Sequence, residues 1–113
     1  MKYKIEEHYN AVVIALKGNV MGGDDTKDFN DLLHKYIEED KKNIIVDLSD
    51  VKFMNSSGLG MLIGGLTTMK KSDGNLKLAR TTEKIQSLLI ITKLITIFES
   101  FETVDEAVKS FSK

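Results

Sequence analysis

The sequence predicts an α/β domain: a mixed, mostly parallel β-sheet of four to five strands packed with about four α-helices. Three observations carry this. Short apolar runs rich in β-branched residues, such as Val12 to Leu16 and Ile44 to Leu48, alternate with segments whose apolar residues recur at helical spacing. Those segments are roughly ten residues or longer, as in crossovers between parallel strands. The weakly alternating segment Tyr3 to Tyr9 and the run Val12 to Leu16 are joined only through Asn10, which makes a tight hairpin and renders the sheet mixed.

Taken in order, Tyr3 to Tyr9 alternates weakly and reads as a strand with Tyr3, Ile5 and Tyr9 on its apolar side. Val12 to Leu16 is continuously apolar, as in a strand covered on both faces. Gly18 to Gly23 reads as a loop, after which Asp24 and Asp25 offer helix caps. Phe29, Leu32, Leu33, Tyr36 and Ile37 form one stripe at i, i+3, i+4, i+7 and i+8, so the first helix is amphipathic. The polar run Glu38 to Lys42 is a solvated helix end leading into the central strand, Ile44 to Leu48. Ser49-Asp50 reads as a turn, with Val51 to Phe53 extended beyond it.

A second helix is expected from Ser57 to Lys70, with Leu59, Leu62, Ile63, Leu66 and Met69 on one side. Ser72-Asp73-Gly74-Asn75 ends it with turn chemistry. Leu76 to Ala79 is a strand. Thr81 or Thr82 caps a third helix that turns Ile85, Leu88 and Leu89 inward. A short strand is placed near Ile95 to Phe98. A capping box, Thr103-Val104-Asp105-Glu106, opens the last helix, with Val104, Ala107, Val108 and Phe111 as its buried face.

Composition narrows the function. The 113 residues fit one domain, 1–113, and the 42% hydrophobic and 29% charged shares are those of a soluble protein. The net charge is −1 with Lys and Glu interspersed, so no basic face for nucleic acid is expected. No apolar run approaches the roughly 20 residues that span a bilayer, so direct membrane insertion is not expected. Met1 to Glu7 lacks an apolar secretory core, and there are no cysteines for disulfides or thiol chemistry. The expected compartment is the cytoplasm.

Catalytic signatures are weak. His8 and His34 have no partners at metal-ligand spacing and read as structural or surface residues. Ser56 lacks the Gly-x-Ser-x-Gly elbow, because Met54 and Gly58 occupy the flanking positions. Gly58-Leu59-Gly60-Met61-Leu62-Ile63-Gly64 imitates a dinucleotide fingerprint, but its third glycine is one residue late and no Walker A sequence is present. Gly60, Gly64 and Gly65 are better read as small residues that let the helix pack closely. No catalytic residue, metal site or cofactor is assigned.

The informative place is the strand-to-helix junction around Ser56 and Ser57. The first N–H groups of a helix lack internal partners and favour negative charge. A serine there is either an ordinary N-cap, typically worth about 1 kcal/mol against alanine, or a phosphoacceptor whose dianion meets the positive helix end. One serine suffices for a cap, which leaves both readings open.

The segment Asp47-Leu48-Ser49-Asp50-Val51-Lys52-Phe53-Met54-Asn55-Ser56-Ser57-Gly58-Leu59-Gly60 resembles the signature of STAS domains, and within them that of the bacterial anti-sigma factor antagonists. Chain length, element order, Gly18 and the Gly74 turn before Leu76-Lys77-Leu78 extend the resemblance over almost the entire chain. It implies a STAS-like fold and a binding switch. In that family the unphosphorylated protein binds an anti-sigma factor, which is also a serine kinase with a histidine-kinase-like ATP fold, and so frees the sigma factor. Phosphorylation of the first serine of the motif dissociates the complex, and a serine phosphatase resets it. The matching acceptor is Ser56, with Ser57 as the alternative, as neighbour or as cap. ATP and magnesium would belong to the kinase, which makes this chain a substrate and not an enzyme. Asn55, Ser57, Gly58, Leu59, Gly60, Asp24 and Asp25 would surround the phosphosite or meet the partner.

Two departures stand out. Asn55 occupies a position where the best-known antagonists have Asp, which keeps an acceptor oxygen and loses the charge. After the second strand, Asn19 and Met21 replace acidic residues, so any carboxylate there comes from Asp24 or Asp25. The second functional class is therefore a STAS interaction module that is never phosphorylated, serving as a scaffold or as a subunit of a transport complex.

Overall fold

The computed structural model describes residues 1–112 and contains one five-stranded sheet in the order β1-β2-β3-β4-β5. β1 (Lys2–Glu7) runs antiparallel to β2 (Val12–Val20); β3 (Asn43–Met54), β4 (Asn75–Ala79) and β5 (Ser100–Phe101) continue parallel to β2. The helices are α1 (Asp24–Glu38), α2 (Ser56–Lys71), α3 (Glu83–Ile91) and α4 (Val104–Ser110).

Side chains alternate across the sheet, and each face has its own core. Ile14, Leu16, Ile44, Val46, Leu48, Leu76 and Leu78 pack against Phe29 and Leu33 of α1, Leu59, Leu62 and Met69 of α2, and Ile85 and Leu89 of α3. On the opposite face Ala11, Val13, Ile45 and Ala79 pack against Ala107 of α4, with Val104, Val108 and Phe111 half-buried around them. Lys77, also on this face, sends its ammonium to the Ser110 hydroxyl at 2.9 Å and over the Phe111 ring at 4.2 Å, which fastens the end of α4 to the sheet.

Several expectations change. Tyr9 does not belong to β1: the strand stops at Glu7, and Tyr9 is fully exposed at the tip of a hairpin closed by the His8 N–H on the Ala11 carbonyl. Gly18 to Val20 is strand, not loop. β2 follows β3 through two register shifts, with Gly18 at φ 73°, and buries Val20. Ser49-Asp50 is likewise no turn; the Asp47 carboxylate accepts the Ser49 N–H at 3.0 Å while β3 runs on to Met54. The strand placed at Ile95 to Phe98 is instead a short 3₁₀ turn, Leu94–Thr96, followed by the buried Phe98. β4 offers its ladder at Leu78 and Ala79, which pair with Ser100 and Phe101, so the strand forms two residues past the apolar run. Thr82, not Thr81, caps α3, and the Thr103–Glu106 box opens α4 as the sequence indicates.

Candidate functional site at the carboxyl end of the central strands

β2 and β3 end side by side, and each feeds a helix at that end of the sheet. In open α/β sheets this is where ligands and partners meet the fold. β3 buries Met54 and hands over to Asn55, whose extended backbone (φ −98°, ψ −178°) makes it the N-cap of α2. Its Oδ1 accepts the Gly58 N–H at 2.8 Å. Asparagine is among the best N-caps, so this bond was legible in the chemistry of position 55. Neither serine is the cap. Ser56 and Ser57 are the first two helical residues, both exposed, and their hydroxyls are free of the capping bond.

The helix start is wedged against β2. A Cβ on Gly58 would lie 2.1 Å from the Val20 carbonyl oxygen, so only glycine lets the two backbones approach this closely. Gly22, at φ 76°, rests against the backbone of Ser57, where a Cβ would come within 2.8 Å. Leu59 is buried and anchors the first turn, whereas Gly60 faces open space. Of the three glycines read as packing residues, only Gly65 fits that role: a Cβ there would strike Phe29 at 2.7 Å, while Gly60 and Gly64 have nothing within 4 Å.

Asp24 and Asp25 lie in the first turn of α1 and do not cap it. Gly23 holds the N-cap position with no side-chain bond. Asp25 is engaged by the Met1 ammonium at 2.9 Å, and this hydrogen bond raises that amine's pKa above its ordinary value. No hydrogen bond joins either aspartate to Ser56 or Ser57 among the described residues. The two aspartates place negative charge at the start of α1, but the first turn of α2 holds no acidic residue. The positive end of α2 is therefore uncompensated where the two hydroxyls are displayed.

A second polar feature, not among the site residues expected from the sequence, lies on the α4 face. Asp47 is 3% exposed and accepts Nε of Arg80 at 3.1 Å, with a second bond from Nη2. Burial pushes the Asp47 pKa up, but the Arg80 hydrogen bonds and charge and the Ser49 N–H outweigh it, and the net shift is downward. The sequence signal was a lone carboxylate inside Ile44 to Leu48. The pair ties the middle of β3 to the carboxyl end of β4 and lines a hollow of about 530 Å³ with Lys4, Glu6 and Lys17. Among the described residues no cluster of His, Cys, Asp or Glu could hold a metal ion, and no helix is long and apolar enough to cross a membrane.

A family model described as the STAS domain matches residues 2–107. The chain belongs to the STAS domain family. An anti-sigma-B factor antagonist of Bacillus subtilis (strain 168) is 35% identical over 63 residues, which covers 56% of this chain and 58% of that protein. The matched segments thus span about half to two thirds of the curated relatives. A crystal structure assigned as an anti-sigma factor antagonist from Thermotoga maritima superposes with a TM-score of 0.87 at 20% identity, over 98% of this chain and 95% of that one. The Bacillus cell fate determinant SpoIIAA, an anti-sigma factor antagonist, superposes in its unphosphorylated form with a TM-score of 0.72 at 19% identity, covering 96% of each chain. Its phosphorylated form gives 0.73 at 20%, covering 96% of this chain and 98% of that one. These structural likenesses show that the mixed sheet with its four helices is the STAS fold.

Proposed function

We propose that this STAS protein is an anti-sigma factor antagonist switched by phosphate on Ser56. Unphosphorylated, it binds an anti-sigma factor that is also a serine kinase with a histidine-kinase-like ATP fold, and the sigma factor is released. Phosphorylation of Ser56 reverses this, and a serine phosphatase restores the binding form. ATP and magnesium act at the partner, and this chain is the substrate.

One observation carries the reading. Asn55 supplies the cap of α2, so Ser56 is left exposed with its hydroxyl uncommitted, at a helix start with no acidic residue in its first turn. A phosphoserine brings about −1.5 to −2 charges. A favourably placed anion at a helix N-terminus gains about 0.3–1 kcal/mol. The neutral Asn55 neither competes for that end nor repels the dianion. The phosphate thus needs no rearrangement of the fold, and a partner seated over the helix start would meet new charge and bulk. SpoIIAA, known in both states, and the B. subtilis relative support the transfer of this role.

The test pairs chemistry with binding. Incubation with the anti-sigma kinase and Mg-ATP should add one phosphate, mapped to Ser56 by peptide mass spectrometry. Ser56→Ala should then bind the kinase persistently and Ser56→Asp weakly. Equal affinity of the two variants, with no phosphate on Ser56 in cells under growth or stress, would leave an unswitched interaction module.

A further inference from the structure

Beside the Ser56 helix start, β3 and α3 form a small cleft of about 170 Å³ lined by Phe53, Met54, Ile85 and Leu88, with Lys52 and Lys84 on its lips. Its floor is apolar and open. Phe53 is 50% exposed although it directly precedes the buried Met54. Lys84, Leu88 and Ile91 stand at i, i+4 and i+7 and share a helix face, so the apolar strip runs on to Ile91, which is 77% exposed. Neither Lys52 nor Lys84 has a carboxylate within ion-pair distance among the described residues. The nearest acidic residues in sequence point elsewhere: Asp50 lines the hollow on the α4 face, and Glu83 lines a separate one beside Arg80.

We propose that this cleft receives the anti-sigma partner through a large aliphatic or aromatic side chain of that partner flanked by carboxylates. This rests on the function proposed above and gives its interface a chemistry. The charge complementarity decides the occupant, because two unpaired ammonium groups bracket an exposed apolar floor in a chain of net charge −1. It also links the cleft to the switch. Phe53 precedes Ser56 by three residues, at most about 10 Å of chain at 3.3–3.6 Å per residue, close to the Debye length of about 8 Å at physiological ionic strength. A dianion on Ser56 therefore opposes the carboxylates that the two lysines attract.

Affinity of the full chain for the anti-sigma kinase, measured by calorimetry without ATP, tests this with three proteins: wild type, Phe53→Ala, and the double variant Lys52→Glu/Lys84→Glu. Circular dichroism melts check that each folds. Wild type binds and weakens as salt is added; each variant is expected to bind at least tenfold more weakly, and the double variant, whose new carboxylates repel those of the partner, should bind better as salt rises. If wild type binds and both folded variants match it, the cleft is not the contact while the proposed function stands. If wild type itself fails to bind, both ideas fall. A wild-type dimer in sedimentation that Phe53→Ala abolishes would assign the cleft to a second copy of this chain and overturn the proposal.

Discussion

The starts of α1 and α2 lie next to each other and are built oppositely. α1 has no side-chain cap but carries Asp24 and Asp25 in its first turn; α2 has an amide cap, Asn55, and no acid at all. Both temper the positive end that unpaired N–H groups create, the first by charge and the second by a bond. Charge compensates the first helix and leaves nothing for a ligand to do. The neutral cap satisfies one donor of the second helix and leaves its field unspent, beside two free hydroxyls. Asparagine and aspartate at position 55 would thus differ in electrostatics and not in capping.

The backbone sharpens the contrast most. A Cβ at Gly58 meets a carbonyl oxygen of β2, whereas Gly23 at the start of α1 has open space and only a positive φ of 62°. Gly58→Ala should lower stability by roughly 3 kcal/mol, the upper range for overpacking against rigid atoms. Gly23→Ala should cost about 2 kcal/mol from backbone strain alone, because φ 62° with ψ −129° lies outside the left-handed α well. Urea denaturation of both variants checks the ranking, and equal losses would break the comparison.

The Asp47–Arg80 pair tests whether the platform beneath α2 depends on charge as well. Arg80→Ala strands a buried carboxylate. Because the guanidinium is half-exposed, the loss should be about 2 kcal/mol at neutral pH, below the 3–5 expected for a fully buried pair. Asp47 has a folded pKa below its unfolded value of about 3.9. Its stabilising contribution is therefore complete above that value and fades as the pH falls through the lower folded pKa. The gap between wild type and Arg80→Ala should narrow in melts as the pH is lowered from about 7 to below the unfolded pKa of about 3.9; a gap that stays constant would show that packing, not charge, holds the pair.

Smaller effects separate cap from charge. Asn55→Ala should cost about 1 kcal/mol, but Ser57→Ala less than about 0.5, because Ser57 is not the cap. Asn55→Asp should stabilise the unmodified protein by about 0.3–1 kcal/mol and diminish any stabilisation from phosphate on Ser56, since both anions then share one helix end. Thermal melts of the four combinations, Asn55 or Asp with and without phosphate, would show that non-additivity; strict additivity would mean the helix end does not feel both charges.

Most of the architecture was legible because periodicity reports burial. The stripe from Phe29 to Ile37 and the runs at Val12, Ile44 and Leu76 mark helices and strands on the faces they occupy. What escaped were places where tertiary pairing overrides local chemistry. Gly18, Ser49 and Asp50 look like turn residues, yet the β2–β3 ladder keeps them within its strands through the register shifts, Gly18 with a positive φ. The apolar run at Ile95 looks like a strand but lies where β4 offers no ladder. At the site, the Ser56 junction is readable from the motif, while the Asn55 cap is masked because the same residue also stands out by the charge it lacks. The exposure of Phe53 had no local signal, because a phenylalanine beside the buried Met54 reads as core and only the packing of α3 leaves it uncovered.

The sheet's two edges carry a further consequence. β1, on one side, presents Lys2, Lys4, Glu6 and Glu7, and β5, on the other, is only two residues long. A charged rim and a truncated rim are poor templates for strand addition, which guards such a sheet against growing by edge-to-edge pairing into aggregates. It also narrows how any protein can be recruited: not by extending the ladder with a borrowed strand, but through side chains gathered where the strands end and the helices begin.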